Sequence, residues 1–195
     1  MPAPLSAFVE PPWSAPLDAP RAIAAIPEQA QIRGMFFLAL IEGAERRQIT
    51  LAVPKRRYLQ FGFYPVKEFA TLLVEAATRF HPDVALRQGL RRIGKVGPAA
   101  LLSSTLGKVT LGASEGVQAA VTAIVKTYAI NVRPSSCDVT EAGPRALIVR
   151  MDNVPHFLDC HHVGVFEGAL EYAGACGEVR IYSRGQRAAD LLLRW

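Results

Sequence analysis

Cysteine is scarce and unpaired in this chain. Cys137, Cys160 and Cys176 are its only three, none in a CxxC spacing. That excludes a disulfide scaffold and the paired-thiolate pattern of a structural zinc site, and it predicts free thiols in a reducing cytoplasmic setting. Long apolar runs are missing too. A membrane span needs about 18–20 consecutive apolar residues, and the best candidate, Met35 to Ile41, is far shorter. The N-terminal stretch MPAPLSAFVEPPW has neither a basic start nor a continuous apolar core, so no export signal is read there. No Walker loop, dinucleotide fingerprint or HExxH occurs, and Gly107-Lys108 lacks the upstream glycines of a phosphate loop. Charge of one sign is weak: the net is +5 over 195 residues, less than a dedicated nucleic-acid binder carries.

Hydrophobic residue is what the chain has in quantity. Half of it is apolar and 20% is charged, the balance of a chain that can bury one sizeable core. Pro2, Pro4, Pro11, Pro12, Pro16, Pro20 and Pro27 crowd the start, so residues 1–28 are expected to form an extended arm, either laid on the body through Phe8 and Trp13 or left as a mobile tail. Residues 29–195 are expected to form one α+β domain, with a helical layer over 29–128 and a sheet plus helix over 129–195. In "IRGMFFLALIEGAERR" apolar residues surround the helix, which predicts burial on two sides or a subunit interface over residues 32–46. "PVKEFATLLVEAATRF", "PDVALRQGLRRIGKVG", "PAALLSSTLGKVTLG" and "SEGVQAAVTAIVKTYA" read as four further helices. After them, "YAINVRPSSCDVTE" and "PRALIVRMDN" read as one hairpin, and "EVRIYSR" and "RAADLLLRW", around Gly185, as another. The helix "FLDCHHVGVFEGALEYAG" lies between them. The expected architecture is therefore an N-terminal helical layer on a four-stranded, mainly antiparallel sheet, with a β-β-α-β-β C-terminal half.

That last helix concentrates the chemistry-bearing residues. At 100° per residue, Leu158, His162, Val165, Phe166, Ala169, Leu170 and Ala173 share an apolar face, with Cys160, Gly164, Glu167 and Glu171 opposite. Glycine inside a helix costs about 0.5–1 kcal/mol relative to alanine, so Gly164 and Gly168 predict a close backbone neighbour. Cys160 and His161 diverge on a regular helix, and no orienting acid or nucleophile turn accompanies them, so no catalytic set is read. Cys160 and His162 are the candidates for a reactive or titratable group, and no metal site is expected. A lining for an apolar pocket is expected from Phe36, Phe37, Leu40, Phe69, Phe157 and Phe166. "PKRRYLQFGFYP" and "LRRIGK" set Lys55, Arg56, Arg57, Arg91, Arg92 and Lys95 beside aromatics. This reads as a connection anchored by its rings, or alternatively as a nucleic-acid surface.

Several strings in order ("RGMFF", "YPVKEFATLL", "ALRQGLRRIGK", "SSTLGK", "TYAINVR", "FLDCHHVGVFEGAL" and terminal Trp195) resemble the Myxococcales-paralogous family of uncharacterised proteins, from about Ala30 onward. More distantly, the C-terminal pattern is similar to the haem-NO-binding domains, the TRAPP transport-complex subunits and the 4-vinyl-reductase-like ligand domains. The haem-binding members imply a proximal histidine before the sheet and a Tyr-x-Ser-x-Arg grip on the propionates. This chain has no histidine between Pro98 and Tyr128, and its nearest string, Tyr182-Ser183-Arg184, lacks the alternation that puts residues on one strand face. No haem or other cofactor is expected. The expected function is non-enzymatic: a signalling or scaffold module binding a protein partner, a second copy through helix 32–46, or an apolar small ligand between helical layer and sheet. The alternative is a nucleic-acid-associated regulator using segments 55–64 and 91–95.

Overall fold

The computed structural model describes residues 13–54, 56–103 and 115–195, so Phe8 of the arm and Lys55 of the basic segment lie outside the described residues. Its chain order is α1 (Ala19–Ala24), β1 (Gln31–Arg33), α2 (Gly34–Glu45), β2 (Phe63–Pro65), α3 (Val66–Phe80), α4 (Leu86–Ser103), α5 (Gly116–Asn131) and β3 (Val132–Arg133). Then come β4 (Ser136–Gly143), β5 (Ala146–Asp152), a π-turn (Leu158–His162) running into α6 (Val163–Tyr172), β6 (Glu178–Gly185) and β7 (Ala188–Arg194).

The two hairpins join into a four-stranded antiparallel sheet in the order β4-β5-β7-β6. Strand β5 alternates, burying Leu147, Val149 and Met151. In β7, residues Ala189 to Leu193 are buried without a break. Even Asp190 is enclosed, its carboxylate held by Arg184 at 2.9 Å and Arg150 at 3.4 Å. A core of α5, α6 and the inner sheet face gathers Val121, Ile124, Leu147, Phe166, Leu170 and Leu191. A second core forms in the helical layer around Phe37, Phe69, Leu73 and Leu90, and it takes in Phe157 and Cys160 from the C-terminal half.

Four details differ from the sequence reading. The strand read from Tyr128 is helical to Asn131, gives Val132–Arg133 to a separate small sheet, and enters the four-stranded sheet only at Ser136. The arm is not extended throughout: Ala19–Ala24 is helical, because Pro20 sits in the first turn, where no amide donor is required, and the Asp18 carboxylate caps the Arg21 amide at 3.0 Å. The helices read as third and fourth begin as one, since α4 runs through Pro98 to Ser103; residues 104–114 lie outside the described residues. The helix expected over 32–46 starts at Gly34. Ahead of it, Gln31–Arg33 is the middle strand of a small sheet, β2-β1-β3. No helix among the described residues is long and apolar enough to cross a membrane.

Helices α4 and α6 meet backbone to backbone. A Cβ built at Gly94 would collide with the carbonyl oxygen of His161, one at Gly164 with that of Arg91, and one at Gly168 with that of Lys95. The close neighbour predicted for Gly164 and Gly168 is thus α4. Ion pairs edge the seam: Arg87 with Asp159, Arg91 with Glu167 (Nε to Oε2 2.7 Å), and Lys95 with Glu171 at 2.6 Å. The guanidinium of Arg91 also lies 3.4 Å over the ring of Trp13, which ties the N-terminal segment to the same place.

Candidate functional site

The seam ends at an irregular turn. Phe157 has φ 38° and ψ 44°, a left-handed conformation that is an outlier for a bulky side chain. Its carbonyl oxygen is a hub. It accepts from the amides of Cys160 at 3.3 Å and His162 at 3.4 Å, and from the ring Nδ1 of His162 at 3.3 Å. The bond from His162 back to Phe157 spans five residues and widens the turn into π geometry, a form frequent at functional sites.

The consequence is that His156, His161 and His162 converge. Their ring centroids stand 5.0 to 5.7 Å apart, and one ligand atom from each lies within 4.8 Å of the others. His156 and His162 are buried, and His161 is half-buried. A carbonyl can only accept, so His162 carries its proton on Nδ1, and its Nε2 lone pair faces the hydroxyl of Tyr128 at 3.1 Å. The Nδ1 atoms of His156 and His161 are enclosed without any hydrogen-bond partner. Burial first, and the neighbouring imidazoles second, push His156 well below the ordinary histidine range and His161 down to about 3. Burial also lowers His162 to about 4, against an opposing pull from the Phe157 carbonyl and Asp159. All three rings are neutral at physiological pH.

Phe69 packs edge-on to His156 at 5.6 Å and leads into an aromatic group, touching Phe37 at 5.2 Å and Phe36 at 6.3 Å. Of the pocket residues expected from sequence, Phe36, Phe37, Leu40, Phe69 and Phe157 share this helical-layer core, whereas Phe166 belongs to the sheet core. Cys160 is fully buried in the helical-layer core, its sulfur 3.9 Å from the Phe157 carbonyl, and burial raises its thiol far above the usual range. His162, by contrast, stands inside the cluster. His156 and His161 were left out of the candidate set read from sequence. Their signal is three imidazoles within seven residues, hidden by reading the stretch as regular helix.

Two rings of the basic–aromatic segment are anchored to the body, while Leu59 and Phe61 are exposed. Tyr58 is buried and stacks on Phe37 at 4.2 Å, and Phe63 is clasped by Arg33 at 3.9 Å and Arg133 at 4.1 Å.

The helical layer on a β-β-α-β-β half resembles the fold of H-NOX domains. An unliganded Fe(II) H-NOX protein from K. algicida superposes with a TM-score of 0.59 at 15% identity, over 84% of this chain and 96% of that one. An H-NOX protein from S. oneidensis in the Fe(II)NO state gives 0.56 at 13% identity, over 84% and 98%. At such identities the likeness establishes the fold alone. Residues 25–195 match the family described as "Protein of unknown function (DUF2378)", and the chain belongs to that family. No curated protein matches it.

Proposed function

We propose that the protein is a non-enzymatic regulatory module that takes a small ligand where the helical layer meets the C-terminal half, at the histidine cluster and the aromatic group beside it. The observation that carries this reading is the pair of enclosed, unpartnered Nδ1 atoms on His156 and His161. Leaving a buried polar group unsatisfied costs about 1–3 kcal/mol. A binding event at these atoms offsets that cost, and a bound ion or water is among the explanations such an exception calls for.

The H-NOX relatives are described with iron, and one with haem distortion, so haem is the first ligand to test against this chain. It does not fit. The three clustered imidazoles pack against one another, and Tyr128 and Phe69 stand edge-on to two of them. His81, the fourth histidine, lies at the far end of α3. Arg184, the nearest candidate for a propionate grip, is held by Asp190 at 2.9 Å, Asp152 at 2.7 Å and the Met151 carbonyl at 3.0 Å. Along the α4–α6 seam the backbones touch, so no macrocycle enters there. The ligand of this module is smaller than haem.

A partner surface on α2 belongs to the same proposal. Phe37, Leu40 and Ala44 face inward, while Met35, Leu38 and Ile41 are half-buried and Ala39 is exposed. The nucleic-acid reading loses cations to internal pairs: Arg91 to Glu167, Lys95 to Glu171, and Arg56 to Glu68 at 3.5 Å. Native mass spectrometry of the intact protein tests the proposal. Retention of a small molecule or ion, lost in His156→Ala and His161→Ala, is the expected result. A bare-chain mass, with no small molecule or ion raising thermal stability, overturns it.

A further inference from the structure

We infer that His156, His161 and His162 form a three-imidazole site for a divalent transition-metal ion of the zinc class, with a fourth position left open. This rests on the reading that the cluster is where the module binds its ligand, and it names the ligand's chemistry.

Three observations converge. The donor set is purely imidazole, the ligand type that suits zinc, copper, nickel and iron(II) and disfavours calcium and magnesium, which need oxygen donors. The spacing is close to what an ion requires. Zinc–nitrogen bonds of about 2.0–2.1 Å place tetrahedral ligand atoms about 3.4 Å apart, and here all three lie within 4.8 Å of one another. A closure of roughly 1.4 Å at most remains for any pair, and half-buried His161 is the least confined of the three rings. The outer shell is also in place. Metal-binding imidazoles characteristically donate their second ring N–H to a carbonyl or carboxylate, which fixes the tautomer and aims the lone pair, and His162 does this with the Phe157 carbonyl at 3.3 Å.

The same arrangement accounts for otherwise costly features. Coordination through Nδ1 satisfies the stranded nitrogens of His156 and His161. It gives the left-handed Phe157 and the π-turn a purpose, since a regular helix would send His161 and His162 to diverging sides. An ion at Nε2 of His162 displaces the Tyr128 hydroxyl, which now caps that lone pair. Sites with three protein ligands keep a position for water or a small exogenous ligand, whereas structural sites close with four. Asp159, the nearest acid in sequence, is bound to Arg87 and is not part of the set.

The test uses full-length protein without a polyhistidine tag, stripped with chelator and titrated with Zn2+ or Co2+ alone. Zn2+ is expected to raise the melting temperature, and Co2+ to develop the intense visible bands of a four-coordinate ion. His161→Ala, at the least buried of the three positions, is expected to weaken both responses by at least about a hundredfold, the upper end of what losing an outer-shell partner costs. His81→Ala keeps them. Should His156→Ala fail to fold, the His161 variant and the Co2+ spectrum still decide. An unchanged melting temperature, a Co2+ spectrum that stays that of the hydrated ion, or full response in His161→Ala overturns the inference. A retained organic molecule without any metal response overturns the metal site while the small-ligand reading stands.

Discussion

Gly164→Ala puts the packing of the α4–α6 seam to the test. Taken alone, the change favours the helix by about 0.5–1 kcal/mol, because alanine gives up less backbone freedom on folding. The structure reverses that sign. The new Cβ would fall well inside 3.0 Å of the Arg91 carbonyl oxygen, a separation real Cβ atoms essentially never show, and the obstacle is backbone that no rotamer moves aside. The helices must part by about 1 Å or more, and overpacking of this kind costs about 1–3 kcal/mol. Separation also strains the Arg87–Asp159, Arg91–Glu167 and Lys95–Glu171 pairs, which at this exposure contribute at most about 1 kcal/mol each. The net is a destabilisation of about 2–3 kcal/mol, a fall in melting temperature of about 5–10 °C for a chain of this size. Gly43→Ala in α2 is the matched control. Its Cβ would meet only the flexible guanidinium groups of Arg47 at 3.8 Å and Arg46 at 4.0 Å, so stability should hold or rise. Thermal melts by circular dichroism read both. Equal behaviour of the two variants would refute the seam.

Alkylation of native protein should modify Cys176 alone, with Cys137 and Cys160 reacting only after denaturation, since both are buried; mass spectrometry counts the adducts. Burial pushes the Cys137 thiol from 9.0 up to about 12. The folded state therefore holds that proton more tightly than the unfolded chain. The resulting stability is fully present below pH 9 and is lost as pH rises towards 12, by up to about 2 kcal/mol near pH 10.5. Denaturant midpoints of wild type and Cys137→Ala should converge accordingly as pH is raised. Tyr128→Phe removes the hydroxyl facing His162 Nε2 and should cost about 1 kcal/mol in metal-free protein, read as a lower urea midpoint. Arg91→Ala loses both the Glu167 pair and the Trp13 ring contact, and should cost about 1–2 kcal/mol. Lys95→Ala, which loses one exposed pair, should stay within about 0.5 kcal/mol.

The C-terminal β-β-α-β-β half was legible because its strands are seven or eight residues long, enough to show alternation or continuous burial, and glycine marks both turns. The β2-β1-β3 sheet was not. Strands of two or three residues carry no period, and Gln31–Arg33 runs straight into the helix it was read as part of. The candidate site was half visible. Three imidazoles stand in the string HFLDCHH, yet on a regular helix neighbours diverge by 100°, and that geometry argued against their meeting. What brings them together is the positive φ at Phe157, which no side-chain pattern announces because the residue there is aromatic and not glycine. Gly164 and Gly168 were read correctly as marks of close approach, but what approaches is a distant segment, which spacing along one helix does not identify.

The bare meeting of α4 and α6 has a mechanical consequence. Where side chains separate two helices, a small movement of one is absorbed by rotamer changes before the other feels it. At Gly94, Gly164 and Gly168 there is no such cushion, and the His161 carbonyl itself rests on α4. Any displacement of the histidine-bearing turn is handed undamped to an eighteen-residue rod, whose far flank leans on α3 through Gly89 and Ala77.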